Sequence, residues 1–301
     1  MLSIKKYAAI DIGSNAVRLL ISNIIEEKGQ PTRFKKNSLV RVPIRLGADV
    51  FIKKKISKVN RERLIDTMQA FQLLMKSHNV AKYKACATSA MRESMNGEKI
   101  VNLISEKTGI NIDIIGGEEE AAIIAATDLQ KFVDKNKTYL YVDVGGGSTE
   151  FTVIHRGEQA ASRSFKIGTV RLLNDIVKKS DWNELEQWIK SSTAQYDKIN
   201  VIGSGGNINK IFKLSGKTID KPLTYFYLTS FYNILQSYTY EERITELELN
   251  QDRADVIIPA TRIYLSAMKW SGAKHIFVPK IGLADGIIKS IYYDTVSSNT
   301  Q

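Results

Sequence analysis

Two stretches far apart in the chain follow one plan, and that repetition limits what the chain can fold into. Tyr7 to Ile10 is an apolar run ended by Asp11-Ile12-Gly13-Ser14-Asn15, after which Val17 to Ile25 resumes a β-rich pattern. Tyr139 to Val142 leads in the same way into Asp143-Val144-Gly145-Gly146-Gly147-Ser148-Thr149-Glu150, followed by a second apolar run from Phe151 to Ile154. Each reads as a β-hairpin whose tip carries an acid, glycine and a hydroxyl. Such a tip offers backbone N–H groups and hydroxyls to anion oxygens, and its Asp can hold a metal directly or through water. Gly13, Ser14 and Asn15 in the first tip, and Gly145, Gly146, Gly147 and Ser148 in the second, are therefore candidate phosphate contacts. Asp11, Asp143 and Glu150 are the candidate metal ligands. Either tip alone is compatible with an ordinary tight turn; finding both after apolar strands favours a ligand.

Between and beyond the hairpins, helical and strand patterns alternate. Leu64, Met68, Phe71, Leu74 and Met75 have helical spacing, so a helix is predicted over 61–77, with strands at 84–87 and 112–115. Gly116-Gly117 breaks the chain, and Glu118-Glu119-Glu120 opens an apolar helix to about residue 129, its acids suiting the positive end of the dipole. The second half predicts helices over 168–178, 183–190, 228–238 and 253–270, one beginning near 208, and one closing the chain from about 283. A strand at 275–278 stands among them. A third glycine loop, Gly203-Ser204-Gly205-Gly206, follows an apolar strand and precedes a helix, the position from which backbone amides meet phosphate. The alternation favours an α/β architecture. The break near 117–135 divides the chain into a domain of residues 1–125 and one of 126–301, with the final helix free to pack back on the first.

Charge narrows the partners. Lys and Arg number 43 against 32 Asp and Glu, a formal charge of +11 that favours polyanions. The cluster Lys53-Lys54-Lys55, Lys58, Arg61 and Arg63 reads equally as a track for phosphates or a solvated helix face. No zinc-finger, basic-zipper or RNA-binding signature accompanies the charge, which argues against nucleic acid. No run approaches the roughly 20 apolar residues needed to span a bilayer, so no membrane partner is expected. A single cysteine, Cys86, in an apolar strand points to a core residue and a reducing, cytoplasmic setting. His78, His155 and His275 have no metal-ligand spacing.

The order hairpin, hairpin, strand-glycine-helix resembles the superfamily of actin, sugar kinases and chaperone ATPases. That resemblance implies two related domains of the actin-like ATPase (ribonuclease H-like) fold with an interdomain active-site cleft. Further motifs select a family: Ala87-Thr88-Ser89-Ala90-Met91-Arg92, Gly117-Glu118-Glu119-Glu120-Ala121, Asp143 to Glu150, Ile167-Gly168-Thr169-Val170-Arg171-Leu172, Arg253-Ala254-Asp255-Val256-Ile257 and Gly282-Leu283-Ala284-Asp285-Gly286. Together, and in this order, they resemble the exopolyphosphatase and guanosine pentaphosphate phosphohydrolase family, usually written Ppx/GppA, in its short two-domain form.

The resemblance implies release of terminal phosphate from inorganic polyphosphate or guanosine pentaphosphate, with Glu120 as general base and Mg²⁺ or another divalent cation held at Asp143 and Glu150. Arg92 and the loop amides would hold the anion. From local sequence alone, Glu120 also reads as an exposed acid stabilising its helix. Arg171 reads equally as a phosphate contact or a structural pair, and Arg253 with Asp255 as a pair or cap within a helix. Ala122 and Ala16-Val17-Arg18 depart from the family pattern and leave substrate preference open. A weakly catalytic sensor of the same polyphosphates and a small-molecule kinase of the same fold remain as alternatives, and the sequence leaves room for a homodimer.

Overall fold

Each hairpin begins a sheet, and the two sheets have the same strand order. A computed structural model of the chain describes residues 2–125, 127, 134 and 136–298. It divides into one unit of Met1–Thr127 with Leu283–Gln301 and another of Asp128–Gly282. The last helix therefore belongs with the first unit, whereas the contiguous division at 125/126 put it in the second unless it packed back.

The first unit runs β1 (Leu2–Ile12), β2 (Val17–Glu27), β3 (Arg33–Val42), α1 (Leu46–Lys53), α2 (Lys58–Ser77), β4 (Lys82–Ala87), α3 (Ser89–Arg92), α4 (Gly97–Thr108), β5 (Ile112–Ile114) and α5 (Gly117–Ala125). Its sheet has the order β3-β2-β1-β4-β5, antiparallel across β1 to β3 and parallel across β1, β4 and β5. Residues Tyr7 to Ile12 of β1 are all buried, because both faces of this central strand are covered.

The second unit runs β6 (Thr138–Val144), β7 (Thr149–His155), β8 (Glu158–Phe165), α6 (Thr169–Leu173), α7 (Lys179–Thr193), β9 (Ile199–Ser204), α8 (Gly206–Leu214), β10 (Leu223–Thr224), α9 (Tyr225–Ser237), α10 (Tyr240–Thr245), α11 (Gln251–Ala254), α12 (Ile257–Ser271) and β11 (His275–Phe277). Its order is β8-β7-β6-β9-β11-β10, with β9 parallel to β6, β11 parallel to β9, and β10 antiparallel at the edge. Apart from β10, this repeats the first sheet position by position. The chain thus contains two copies of one α/β fold.

Two expected helices differ from their sequence reading. The one over 253–270 is two helices, because Pro259 lacks an N–H and fits only the first turn of α12, so Asp255 and Val256 form a break. The one over 168–178 is the short α6, and Asp175 in the left-handed region (φ 53°) ends the segment. The part of the α5 helix expected beyond residue 125 lies outside the described residues.

The closing helix α13 (Leu283–Ser298) packs against α5 and the sheet of the first unit. Lys36 and Asp285 form an ion pair at 2.8 Å, and Gly286 sets the approach to α5. A Cβ on Gly286 would stand 2.2 Å from the carbonyl oxygen of Ile123, a backbone atom that no side-chain rotation can move aside. Gly286→Ala is therefore expected to push α13 from α5 and to cost about 1–3 kcal/mol, as overpacking does. Urea unfolding followed by circular dichroism measures it, and wild-type stability would show that the two helices can part freely.

Candidate active site

The two hairpin tips close with the same turn. Gly13 N–H donates to the Ala16 carbonyl at 3.1 Å, and Gly145 N–H donates to the Ser148 carbonyl at 3.0 Å. A Cβ would lie 3.2 Å from Ala16 O at Gly13 and 2.8 Å from Ser148 O at Gly145, so the close approach asks for glycine in both copies.

Each tip is also held from outside. Ser14 O accepts from Gly47 N–H at 2.8 Å and Asn15 O from Arg45 N–H at 2.9 Å, both donors lying at the start of α1. In the second unit Gly145 O accepts from Thr169 N–H at 3.0 Å, Gly146 O from Val170 N–H at 2.9 Å, and Gly147 O from Arg171 Nε at 2.7 Å. A trans peptide directs its C=O and the next residue's N–H to opposite sides. The N–H groups of Gly146, Gly147 and Ser148 are thereby turned away from the 169–171 segment, as those of Asn15 and Ala16 are turned away from α1. Gly168 lets that segment sit this close, since a Cβ there would stand 2.4 Å from Gly146 O. Arg171 is buried, and its bond to Gly147 gives it a structural part in holding the loop.

The acids of the two hairpins differ. Asp143 and Glu150 are cross-strand partners on one face of the β6–β7 pair. Glu150 is buried, and its Oε1 accepts from the Ser148 hydroxyl at 2.7 Å and the Ser164 hydroxyl at 2.9 Å. The Ser148 side chain is thus turned to Glu150. In the first hairpin the matching position opposite Asp11 is Arg18, and the two form an ion pair at 2.8 Å.

The first tip, the turn after β4 and the start of α5 line the carboxyl ends of three parallel strands, where α/β sheets bind ligands. Thr88 N–H donates to Ile12 O at 3.1 Å, and Ile115 N–H donates to Ala87 O at 3.0 Å. Thr88 makes no side-chain cap to the single turn of α3. The exposed Arg92 donates through Nη1 to Ile115 O at 2.5 Å, fixing the strand end that enters α5. In the first turn of α5, Glu118 and Glu119 are exposed and Glu120 is buried, 9% accessible. Among the described residues no group of three or more His, Cys, Asp or Glu is placed to cage a metal.

In the third loop Gly203 lies inside β9, its α-carbon against Ile276 and Ile208, so it serves packing. Ser204 Oγ donates to Ile281 O at 2.8 Å. Gly205 has φ 113°, open only to glycine, and Gly206 begins α8, whose amides face the turn. Sequence reasoning did not single out Arg18 as the partner of Asp11, nor Tyr264, whose hydroxyl donates to Ser204 O.

Residues 34–294 match the model of the Ppx/GppA phosphatase family. The bifunctional 3-dehydroquinate synthase/phosphatase of Fusobacterium nucleatum is 31% identical over 202 residues, 63% of this chain and 30% of its own. Exopolyphosphatase 1 of Mycobacterium bovis is 28% identical over 170 residues, 56% of this chain and 48% of its own. These matches span less than half the length of either curated relative. The crystal structure of an exopolyphosphatase from Cytophaga hutchinsonii superposes with a TM-score of 0.83 at 21% identity, covering 96% of this chain and 98% of that one, and so has the same fold.

Cys86 sits on β4 beside Asp11, and its thiol reports the surroundings of the first tip. Burial pushes its pKa up from 9.0 to about 12; Lys84 opposes the rise, while Asp113, Asp11 and Glu119 add to it. The folded thiol therefore stays protonated while the unfolded chain ionises near 9.0, so stability from this group is full below about pH 9 and declines as pH climbs toward 12. Native protein at pH 8 is expected to react with an alkylating reagent only after unfolding; fast labelling without denaturant would contradict this burial.

Proposed function

Since the chain belongs to the Ppx/GppA phosphatase family, we propose that it is a phosphoanhydride hydrolase releasing terminal orthophosphate from inorganic polyphosphate, and converting guanosine pentaphosphate to tetraphosphate at the same site. The observation that carries the reading is the burial of Glu120 in a turn where its two acidic neighbours are exposed. An acid serving only the helix dipole gains nothing by leaving water.

In this reading Glu120 orients a water and takes its proton as the water oxygen attacks the terminal phosphorus. The bridging P–O bond breaks, and the shortened chain leaves with the negative charge. In the first unit the anion donors are the Asn15 amide and the Arg92 guanidinium, with Gly13 and Ser14 shaping the turn; in the second they are the amides of Gly146, Gly147, Ser148 and Gly206, with Ser204 and Gly205 shaping theirs. The +11 surplus draws polyanions toward the protein.

The donor set fits Mg²⁺. That ion is usually held by one or two carboxylates with substrate phosphates and water rather than by a protein cage. Asp143 and Glu150, two acids across one rung, would hold it; bound there, it would neutralise charge on the phosphate oxygens. Asp11, already compensated by Arg18, would act at most through water. Among the described residues no helix is long and apolar enough to cross a membrane, and a single buried thiol suits the reducing cytoplasm.

Glu120→Gln keeps size and hydrogen bonding but cannot accept the proton. Phosphate release from long-chain polyphosphate should fall roughly 10²- to 10⁴-fold with the melting temperature nearly unchanged. A folded variant with near wild-type turnover would remove Glu120 from the chemistry. Exhaustive chelation should abolish turnover in the same assay, with recovery on adding Mg²⁺; full activity without divalent cation would sink the metal assignment.

A further inference from the structure

Beneath the second and third glycine loops lies a tyrosine that none of the steps above uses. Tyr264, on α12, is fully buried with its ring in the core of the second unit. Its hydroxyl reaches past that core, donating to Ser204 O and meeting the backbone N–H of Val144.

The β6–β9 ladder ends at the pair Asp143 and Ser204. Beyond it the strands part, Val144 turning into the glycine tip and Gly205 into α8. The hydroxyl stands at that end of the ladder, donating to the Ser204 carbonyl beside the Val144 N–H of the neighbouring strand.

The same spot touches the acid. A Cβ on Gly205 would lie 3.0 Å from Val144 O, 3.3 Å from the Tyr264 hydroxyl and 3.5 Å from Asp143 Oδ1, so hydroxyl, carboxylate and turn surround one point. A tyrosine kept for packing alone would need neither bond.

We propose that Tyr264 is a positioning residue, whose hydroxyl pins the turn after β9 to the mouth of the β6–β7 hairpin and so sets where Asp143 and the Gly205–Gly206 backbone stand toward a phosphate chain. The proposal rests on the reading of these loops as the phosphate and metal site. A shift of these groups by about an ångström is enough to slow the chemistry markedly.

Tyr264→Phe keeps the ring and removes only the hydroxyl. On polyphosphate, kcat should fall about 10- to 100-fold with KM changing less than about threefold, and the Mg²⁺ concentration for half-maximal rate should rise severalfold. Amide exchange at Val144 and Gly206 should speed up by about tenfold or more, with the rest of the second unit unchanged. Leu235→Ala, a core truncation on α9, controls for stability: it should lower the melting temperature and leave kcat within about twofold. Wild-type kcat and Mg²⁺ dependence in Tyr264→Phe would overturn the proposal, as would an equal loss of kcat in Leu235→Ala. Should the wild-type protein release no phosphate, the hydrolase reading fails separately and exchange still decides. Local loss of protection at Val144 and Gly206 then supports the positioning role, and unchanged protection overturns it.

Discussion

Everything the two hairpin tips can do depends on which way a few peptide groups face. A turn of Gly145-Gly146-Gly147 left to itself has more conformational freedom than any other three residues, and ordering it is costly. The protein limits that freedom by occupying the carbonyls: Thr169, Val170 and Arg171 take those of all three glycines. In the first unit Gly47 and Arg45 do the same for Ser14 and Asn15. Unrelated donors thus impose one orientation on both tips. The result is a row of N–H groups turned one way and oxygens the other, so an anion arriving on the N–H side meets donors and avoids carbonyl lone pairs.

The two copies then diverge in charge. Where the first hairpin sets Arg18 opposite Asp11, the second sets Glu150 opposite Asp143. An opposite charge favours the ionised acid, while two acids on adjacent strands disfavour each other's charge unless hydrogen bonds or a cation intervene. Ser148 and Ser164 supply hydroxyls to Glu150, which stabilises its carboxylate without adding positive charge. A cation is therefore better suited to the second hairpin than to the first. Duplication of the backbone left the side chains free to specialise.

Legibility in the sequence followed burial and backbone demand. The central strands announced themselves because β1 and β6 are covered on both faces and must be apolar, and the tips did because close approach to Ala16 O and Ser148 O requires glycine. The edge strands β3 and β8 were not legible: Arg33–Val42 and Glu158–Phe165 lie largely exposed and carry no apolar pattern. Arg18 looked like any charged residue on a hairpin, since its pairing with Asp11 is set by cross-strand register. Tyr264 sits at helical spacing among Ala260, Ile263, Ala267 and Met268, and nothing in such a run separates a packing tyrosine from one whose hydroxyl ties two loops. At Gly203 the structure adds a demand that the sequence does not carry, since a Cβ there would stand 2.8 Å from the Ile276 side chain.

The sheets are equivalent in what covers them as well as in strand order. In the second unit α12 lies against β6 and β9; in the first, α13 lies against β1 and β4, the same two positions. The cover for the first sheet therefore comes from beyond the second unit in sequence, and residues 2–125 alone would leave the apolar face of β1 and β4 short of its partner. The same helix supports α5 through Gly286, so the turn carrying Glu120 is braced by a segment more than a hundred residues downstream. Such a contact closes a loop of more than a hundred residues, a cost in chain entropy that grows only slowly with loop length. Two residues of the glycine-acid motif at 282–286 have a place in this packing: Asp285 ties α13 to β3 through Lys36, and Gly286 lets α13 approach Ile123 on the helix that carries the proposed base.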